Sequence, residues 1–128
     1  MPDASAVLDI LLRAPDAGSI ERRIFAAGES LHAPHLIDLE ITQVLRRFMQ
    51  KGAISDARAQ EALRDLRDLP ITRYPHQFLL DRVWDLRHNL TAYDAAYVAL
   101  AEALDASLVT RDARLAAGSR RVVRVELL

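Results

Sequence analysis

Three features of the sequence predict an α/β fold with a mostly parallel sheet. Short apolar runs suited to strands alternate along the chain with one or two segments of helical periodicity. The chain has 128 residues, 51% of them hydrophobic and 27% charged, which suffices for one domain with its own core. Gly and Pro number only 4 and 5 and do not cluster, so no linker divides residues 1–128. Strands joined through helices take right-handed crossovers, which leaves the sheet covered on both faces.

Taken in order, helical periodicity covers 4–13, 17–27, 36–51, 55–68, 76–87 and 91–104, with a short turn near 112–117. Pro34 and Pro75 stand just before the third and fifth of these, where a chain turns readily into a helix. Strands are expected at Ser30–Ala33, Leu69–Arg73, Ala106–Thr110 and Val122–Leu127, with Met1–Asp3 filling the remaining strand slot. In such sheets functional groups gather beyond the carboxyl ends of the strands.

Composition removes several function classes. With no cysteine there is no disulfide framework, thiolate zinc site or cysteine nucleophile. No apolar run approaches the ~20 residues needed to span a bilayer, and the first residues have no signal-peptide pattern, so a cytoplasmic location is expected. The net charge is only −1, yet 16 of the 17 basic residues are Arg and one, Lys51, is Lys. Arginine's planar fork suits phosphate, although a GC-rich coding sequence produces the same bias.

The informative signal is the position of certain acids. Glu61 has Arg58 and Arg64 three residues to either side, Asp68 has Arg64 and Asp85 has Arg82, as solvated helix faces do. Glu40 differs. It lies on the ridge Leu36–Glu40–Val44–Phe48, opposite Gln43, Arg46, Arg47 and Gln50, and an acid on a core-facing ridge without a basic partner is costly unless a cation or hydrogen bonds receive it. A half-buried position at the rim of that ridge is the alternative. Asp94, in Thr91-Ala92-Tyr93-Asp94-Ala95-Ala96-Tyr97, also lacks a close basic neighbour; its alternative is a favourable place in the first turn of a helix dipole. Asp112 follows the strand ending at Thr110 and Asp3 precedes the first helix, so each is also a candidate helix cap.

Jointly these four acids occupy strand-to-helix junctions, or lie one turn beyond, along one edge of a parallel sheet. Four anions converging there raise one another's pKa, a conflict that a divalent cation resolves, and oxygen-only ligands select Mg²⁺ or Mn²⁺ over zinc. Ser5 and Thr110, each two residues from Asp3 or Asp112, are placed to orient those acids or a water beside the ion.

These stretches resemble the PIN-domain ribonucleases, specifically the VapC-type toxins of bacterial toxin–antitoxin pairs. The resemblance is carried by Asp3-Ala4-Ser5-Ala6, Pro34-His35-Leu36 through Glu40 with Val44-Leu45-Arg46-Arg47, the block from Leu90 to Ala101 containing Tyr93-Asp94-Ala95-Ala96-Tyr97, and Leu108-Val109-Thr110-Arg111-Asp112. They fall in family order over essentially the whole chain. The resemblance implies a three-layer α/β/α fold with a central sheet of about five strands. Asp3, Glu40, Asp94 and Asp112 map onto the family's acidic metal-binding quartet, Thr110 onto its supporting hydroxyl, and Ser5 onto a small polar position. It implies hydrolysis of RNA phosphodiester bonds by metal-activated water, a VapB-like antitoxin as partner, with Ile10-Leu11-Leu12 or Phe78-Leu79-Leu80 as apolar contacts, and a homodimer.

With the four acids set aside, fourteen acids face 17 bases, so the remainder carries +3, which suits a polyanion that approaches metal ions. Arg46, Arg47 and Arg111 are the candidate RNA contacts, with Lys51 and Arg114 as further options. His32, His35, His76 and His88 are scattered and given no catalytic role. One departure from the family stands out: only Met1 and Pro2 precede Asp3, and proline donates no ladder hydrogen bond, so the expectation is that residues are missing upstream and that Asp3 is held weakly without them. Two rivals remain in view. A phosphoacceptor module needs a lysine near a late strand, whereas Lys51 lies in the third helix; a degenerate PIN domain would bind RNA or protein without cleaving.

Overall fold

The computed structural model describes residues 1–26 and 28–128. The helices are α1 (Ala4–Leu11), α2 (Ala17–Ile24), α3 (Leu36–Gln50), α4 (Asp56–Asp68), α5 (Leu80–Asp85), α6 (Ala92–Ala103) and α7 (Ala113–Ser119). The strands are β1 (Leu31–Pro34), β2 (Ile71–Tyr74), β3 (Leu108–Thr110) and β4 (Val125–Leu127). All the expected elements form, most of them shorter than expected at one end. The helix expected over 17–27 stops at Ile24, with Ala27 outside the described residues. The one expected over 76–87 divides into a 3₁₀ turn, Gln77–Leu79, and α5.

The caps explain several starts. Asp3 accepts from the backbone N–H of Ala6, Ser55 from Arg58, Thr91 from Asp94, and Asp112 from Arg114 and Leu115, each satisfying donors that a helix leaves unpaired in its first turn.

The strands pair in parallel, β1 with β2 in the register Leu31–Ile71 to Pro34–Tyr74, and β3 with β4 from Leu108–Val125 to Thr110–Leu127. Met1–Asp3 adds a further extended segment beside β3: Val109 N–H donates to the Met1 carbonyl at 2.8 Å, and Asp3 N–H donates to the Val109 carbonyl at 3.0 Å. Pro2 therefore costs nothing on this side, because the ladder uses its neighbours' backbone groups. Its own nitrogen faces the opposite way, and among the described residues no ladder bond joins this segment to β1. The single sheet of about five strands is thus five extended segments in two hydrogen-bonded groups.

Helix α6 packs against β1 and β3 alike, spanning the two groups. Its residues Ala95 through Ala101 are all buried, as befits a helix apolar on every side. Helices α1, α3 and α4 pack on one another, with α1 against β3 and α3 against β1. Along α3 the buried ridge is Ile37–Ile41–Leu45; Leu36, Glu40, Val44 and Phe48 are only half-buried. The core-facing ridge expected from the sequence is displaced by one residue, about 100° around the helix. Glu61 meets Arg58 as expected, but Arg82 reaches Glu102 on α6. Among the described residues no helix is long and apolar enough to cross a membrane.

Candidate active site

One cleft of about 530 Å³ is bordered by all four proposed ligands, Asp3, Glu40, Asp94 and Asp112. Backbone geometry delivers them. Asp3 ends the first extended segment, Asp112 follows β3 by two residues, Asp94 is in the first turn of α6, and Glu40 is one turn into α3 after β1. These positions lie at the carboxyl ends of parallel strands or on the helices adjoining them.

Asp3 is the most constrained, with 5% of its surface exposed. Its Oδ1 accepts from Ser5 Oγ at 2.7 Å and from Ala6 N–H at 3.1 Å, and its Oδ2 accepts from Thr110 Oγ1 at 2.6 Å. Each hydroxyl accepts in turn from the loop after β3: Ser5 Oγ from Arg111 N–H at 2.9 Å, Thr110 Oγ1 from Asp112 N–H at 2.9 Å. Ser5 and Thr110 thus clamp Asp3 against the segment that carries Asp112. The expected weak hold on Asp3 is corrected: two strand bonds and three side-chain bonds fix it with Met1–Asp3 as it stands. Burial pushes its pKa up, partly offset by those hydrogen bonds and reinforced by the charge of Asp112.

Glu40 sits at the rim of the apolar face, the alternative left open by its sequence, and still borders the cleft. Its Oε1 accepts from the buried Tyr97 hydroxyl at 2.7 Å. Burial raises the Glu40 pKa, the Tyr97 bond opposes this, and the charges of Asp94 and Asp3 raise it further. The Tyr97 hydroxyl is itself driven upward, by burial first and then by Glu40. Asp94 is also raised, by burial and then by Asp112 and Asp3. Asp112 Oδ1 caps α7 through Arg114 N–H at 2.8 Å and Leu115 N–H at 3.2 Å, so its capping role and its place at the cleft coexist.

Asp9, Asp16, Asp38, Glu61 and Glu102 each meet an arginine. Among the described residues no arginine or lysine forms an ion pair with Asp3, Glu40, Asp94 or Asp112. Burial and the charges of neighbouring cleft acids raise Asp3, Glu40 and Asp94, with Arg114 only partly offsetting Asp94, and hard oxygen donors in that setting fit a divalent ion. The acids share a cleft without yet closing on a common point: among the described residues no group of three or more acidic or histidine side chains is already arranged to hold an ion. Asp3, Glu40 and Asp112 each have an oxygen committed to a hydroxyl or a helix end.

Of the basic residues expected to touch RNA, only Arg47 borders the cleft. Arg46 is exposed outside it, and Arg111 is committed to Asp9 at 2.9 Å and to Asp16, tying the β3–α7 junction to α1 and α2. No histidine lines the cleft among the described residues; His32 instead bridges Ser30 and Tyr74. Sequence reasoning missed Tyr97 and Tyr93 as site residues. Tyr97 was detectable, because it lies three residues after Asp94 and so shares its helix face.

The PIN domain family matches residues 1–120. Ribonuclease VapC9 of Mycobacterium tuberculosis is 50% identical over 113 residues, covering 88% of this chain and 85% of that protein. Ribonuclease VapC1 of the same species is 42% identical over 127 residues, covering 98% and 95%. The crystal structure of PAE2754 from Pyrobaculum aerophilum superposes with a TM-score of 0.70 at 24% identity, over 96% of this chain and 87% of that one, and so shares the fold. An α/β domain carrying an acidic cleft, a domain match over residues 1–120 and a relative 50% identical over 113 residues together place this chain in the PIN-domain family, among the VapC-type ribonucleases.

Proposed function

We propose that this protein is an endoribonuclease toxin whose cleft binds Mg²⁺ or Mn²⁺ through Asp3, Glu40, Asp94 and Asp112 and hydrolyses RNA phosphodiester bonds. The observation that carries the proposal is the set of four carboxylates gathered on one cleft with none of them ion-paired, whereas acids elsewhere such as Asp9, Asp38 and Glu102 are met by arginines. A bound divalent ion supplies an activated water and offsets charge on the scissile phosphate. The chain's own residues prepare for it. Ser5 and Thr110 hold Asp3 in a fixed rotamer, and Tyr97 holds one oxygen of Glu40 and leaves the other free to turn inward. Arg47 on the cleft wall is placed to meet a phosphate.

The test is RNA cleavage by the purified protein with Mn²⁺, with EDTA, and after Asp94→Asn. Chelation should abolish cleavage, and the substitution should lower it by at least about 100-fold, the upper end of what a residue behind the ligands costs. Cleavage persisting in EDTA would overturn the mechanism. Absence of cleavage of any cellular RNA in Mn²⁺ would favour the non-catalytic alternative.

A VapB-like antitoxin and a second copy of the chain are the proposed protein partners, and an RNA-cleaving toxin of this kind is placed in the cytoplasm. Support comes from the segment Gln77–Asp85, where Leu79 enters the core while Phe78, Leu80 and Trp84 stay exposed, Trp84 by 67%, with the Arg87 guanidinium 4.5 Å from the Trp84 ring centroid. Leu11, by contrast, is core, so Ile10-Leu11-Leu12 offers little to a partner. Large exposed apolar groups in sequence mark association surfaces. Trp84→Asp should shift sedimentation of the isolated protein from dimer to monomer; a wild-type monomer at every concentration excludes the homodimer.

A further inference from the structure

The carboxylates account for the reacting phosphate, but not for the chemistry of the cleft walls. Leu39 is 74% exposed and Tyr93 67% exposed, and both border the same cleft. Each stands immediately before a proposed ligand, Leu39 before Glu40 on α3 and Tyr93 before Asp94 on α6. Successive helix residues point about 100° apart, so the acid and its apolar neighbour border the cleft from adjacent directions on both helices. Leu8, Leu36 and Val44 continue the apolar wall, and Arg47 is its only basic member among the described residues.

We propose that Leu39 and Tyr93 clamp one unstacked base of the RNA substrate beside the scissile phosphate. The proposal rests on the ribonuclease reading above and states how that site grips its substrate. Recognition through phosphates alone would line the walls with cations, since backbone affinity comes from Lys and Arg. These walls instead offer an aromatic face and aliphatic side chains, which suit the flat face of any base. A nucleotide joins an apolar face to an anion, and the cleft sets apolar walls beside one arginine and a cation-seeking cluster. An apolar side chain of a protein partner would match the walls but leave Arg47 and the acids unused. Bases within an A-form duplex are stacked and inaccessible to such a clamp, so the bound nucleotide is unpaired.

The experiment measures fluorescence anisotropy of fluorescein-labelled oligouridylate with the full chain in EDTA, where no ion takes part and no cleavage occurs. Tyr93→Ala is expected to weaken binding by roughly 5- to 150-fold, the range for losing one base–aromatic stack, and Tyr93→Phe to restore it. Leu39→Ala should weaken it less, and an oligouridylate–oligoadenylate duplex should bind equally to every variant. In Mn²⁺, Tyr93→Ala should raise KM with kcat retained, while Mn²⁺ uptake by calorimetry stays at the wild-type value. Wild-type oligouridylate binding by Tyr93→Ala overturns the clamp, as does failure of Tyr93→Phe to restore binding, or an equal loss for the duplex. Unchanged RNA binding together with lost binding of the purified antitoxin overturns it in favour of a protein contact. If the wild-type protein takes up no Mn²⁺, the ligand assignment fails separately, and the metal-free anisotropy still decides the clamp.

Discussion

Thr110 shows how much one hydroxyl does here. It donates to Asp3 Oδ2 and accepts from Asp112 N–H, so it fixes one acid and the backbone that carries another. Valine has the same shape and can do neither. Thr110→Val should lower metal affinity or activity by about 10- to 100-fold. It should also cost about 1–3 kcal/mol of stability for the buried groups left unpaired. Manganese calorimetry and urea unfolding check the two effects; unchanged affinity would show that the hydroxyl does not position Asp3. At this scale Asp94, with no basic neighbour in sequence, does border the cleft, but Asp38 reads the same way locally and meets Arg73 instead. Arg111 was misread, because Asp9 and Asp16 that occupy it lie about a hundred residues away in the chain and no local pattern shows them.

Helix α3 illustrates the same division one level up. Its existence follows from apolar periodicity between Pro34 and Gly52, but two neighbouring ridges, Leu36–Glu40–Val44–Phe48 and Ile37–Ile41–Leu45, are both plausible inward faces. Contact with β1, α1 and α4 selects the second. Ile41→Ala should therefore cost about 2–5 kcal/mol, the range for a fully buried large-to-small change. Phe48→Ala, at a half-buried site, should cost clearly less despite removing more atoms. Chemical denaturation compares them, and an equal or reversed order would restore the first ridge as the core face. Strand pairing was less legible than helix formation. The split between β1–β2 and the Met1–β3–β4 group coincides with Pro2, whose position was readable but whose orientation in the ladder was not.

For the whole molecule, the acidic cleft is a store of unfavourable charge. Asp3, Glu40 and Asp94 all sit above their ordinary values of 3.8 and 4.5 in the folded protein. Between the ordinary and raised values the native state binds more protons than the unfolded chain. The stability these groups contribute is thus fully present below the ordinary values and is lost as pH rises through the raised ones. Metal-free protein should gain stability from this cluster as it is acidified from neutral pH toward the carboxylate range. Asp94→Asn should flatten that gain in thermal melts recorded in EDTA. Mn²⁺ at neutral pH should stabilise the wild type by about 2.7 kcal/mol at 100 times its dissociation constant. A wild-type profile identical to that of Asp94→Asn would remove the proposed electrostatic coupling.

Periodicity, punctuation and unpaired acids were enough to give the α/β class, the order of elements and the four candidate ligands, because each is written in neighbours a few positions apart. Packing decided which ridge of α3 is buried, that Tyr97 holds Glu40, that Ser5 and Thr110 both serve Asp3, and that Arg111 braces α1 and α2. Those outcomes depend on side chains brought together across up to 107 positions, and a hydrogen bond or ion pair is settled by distance in space, which local sequence does not encode.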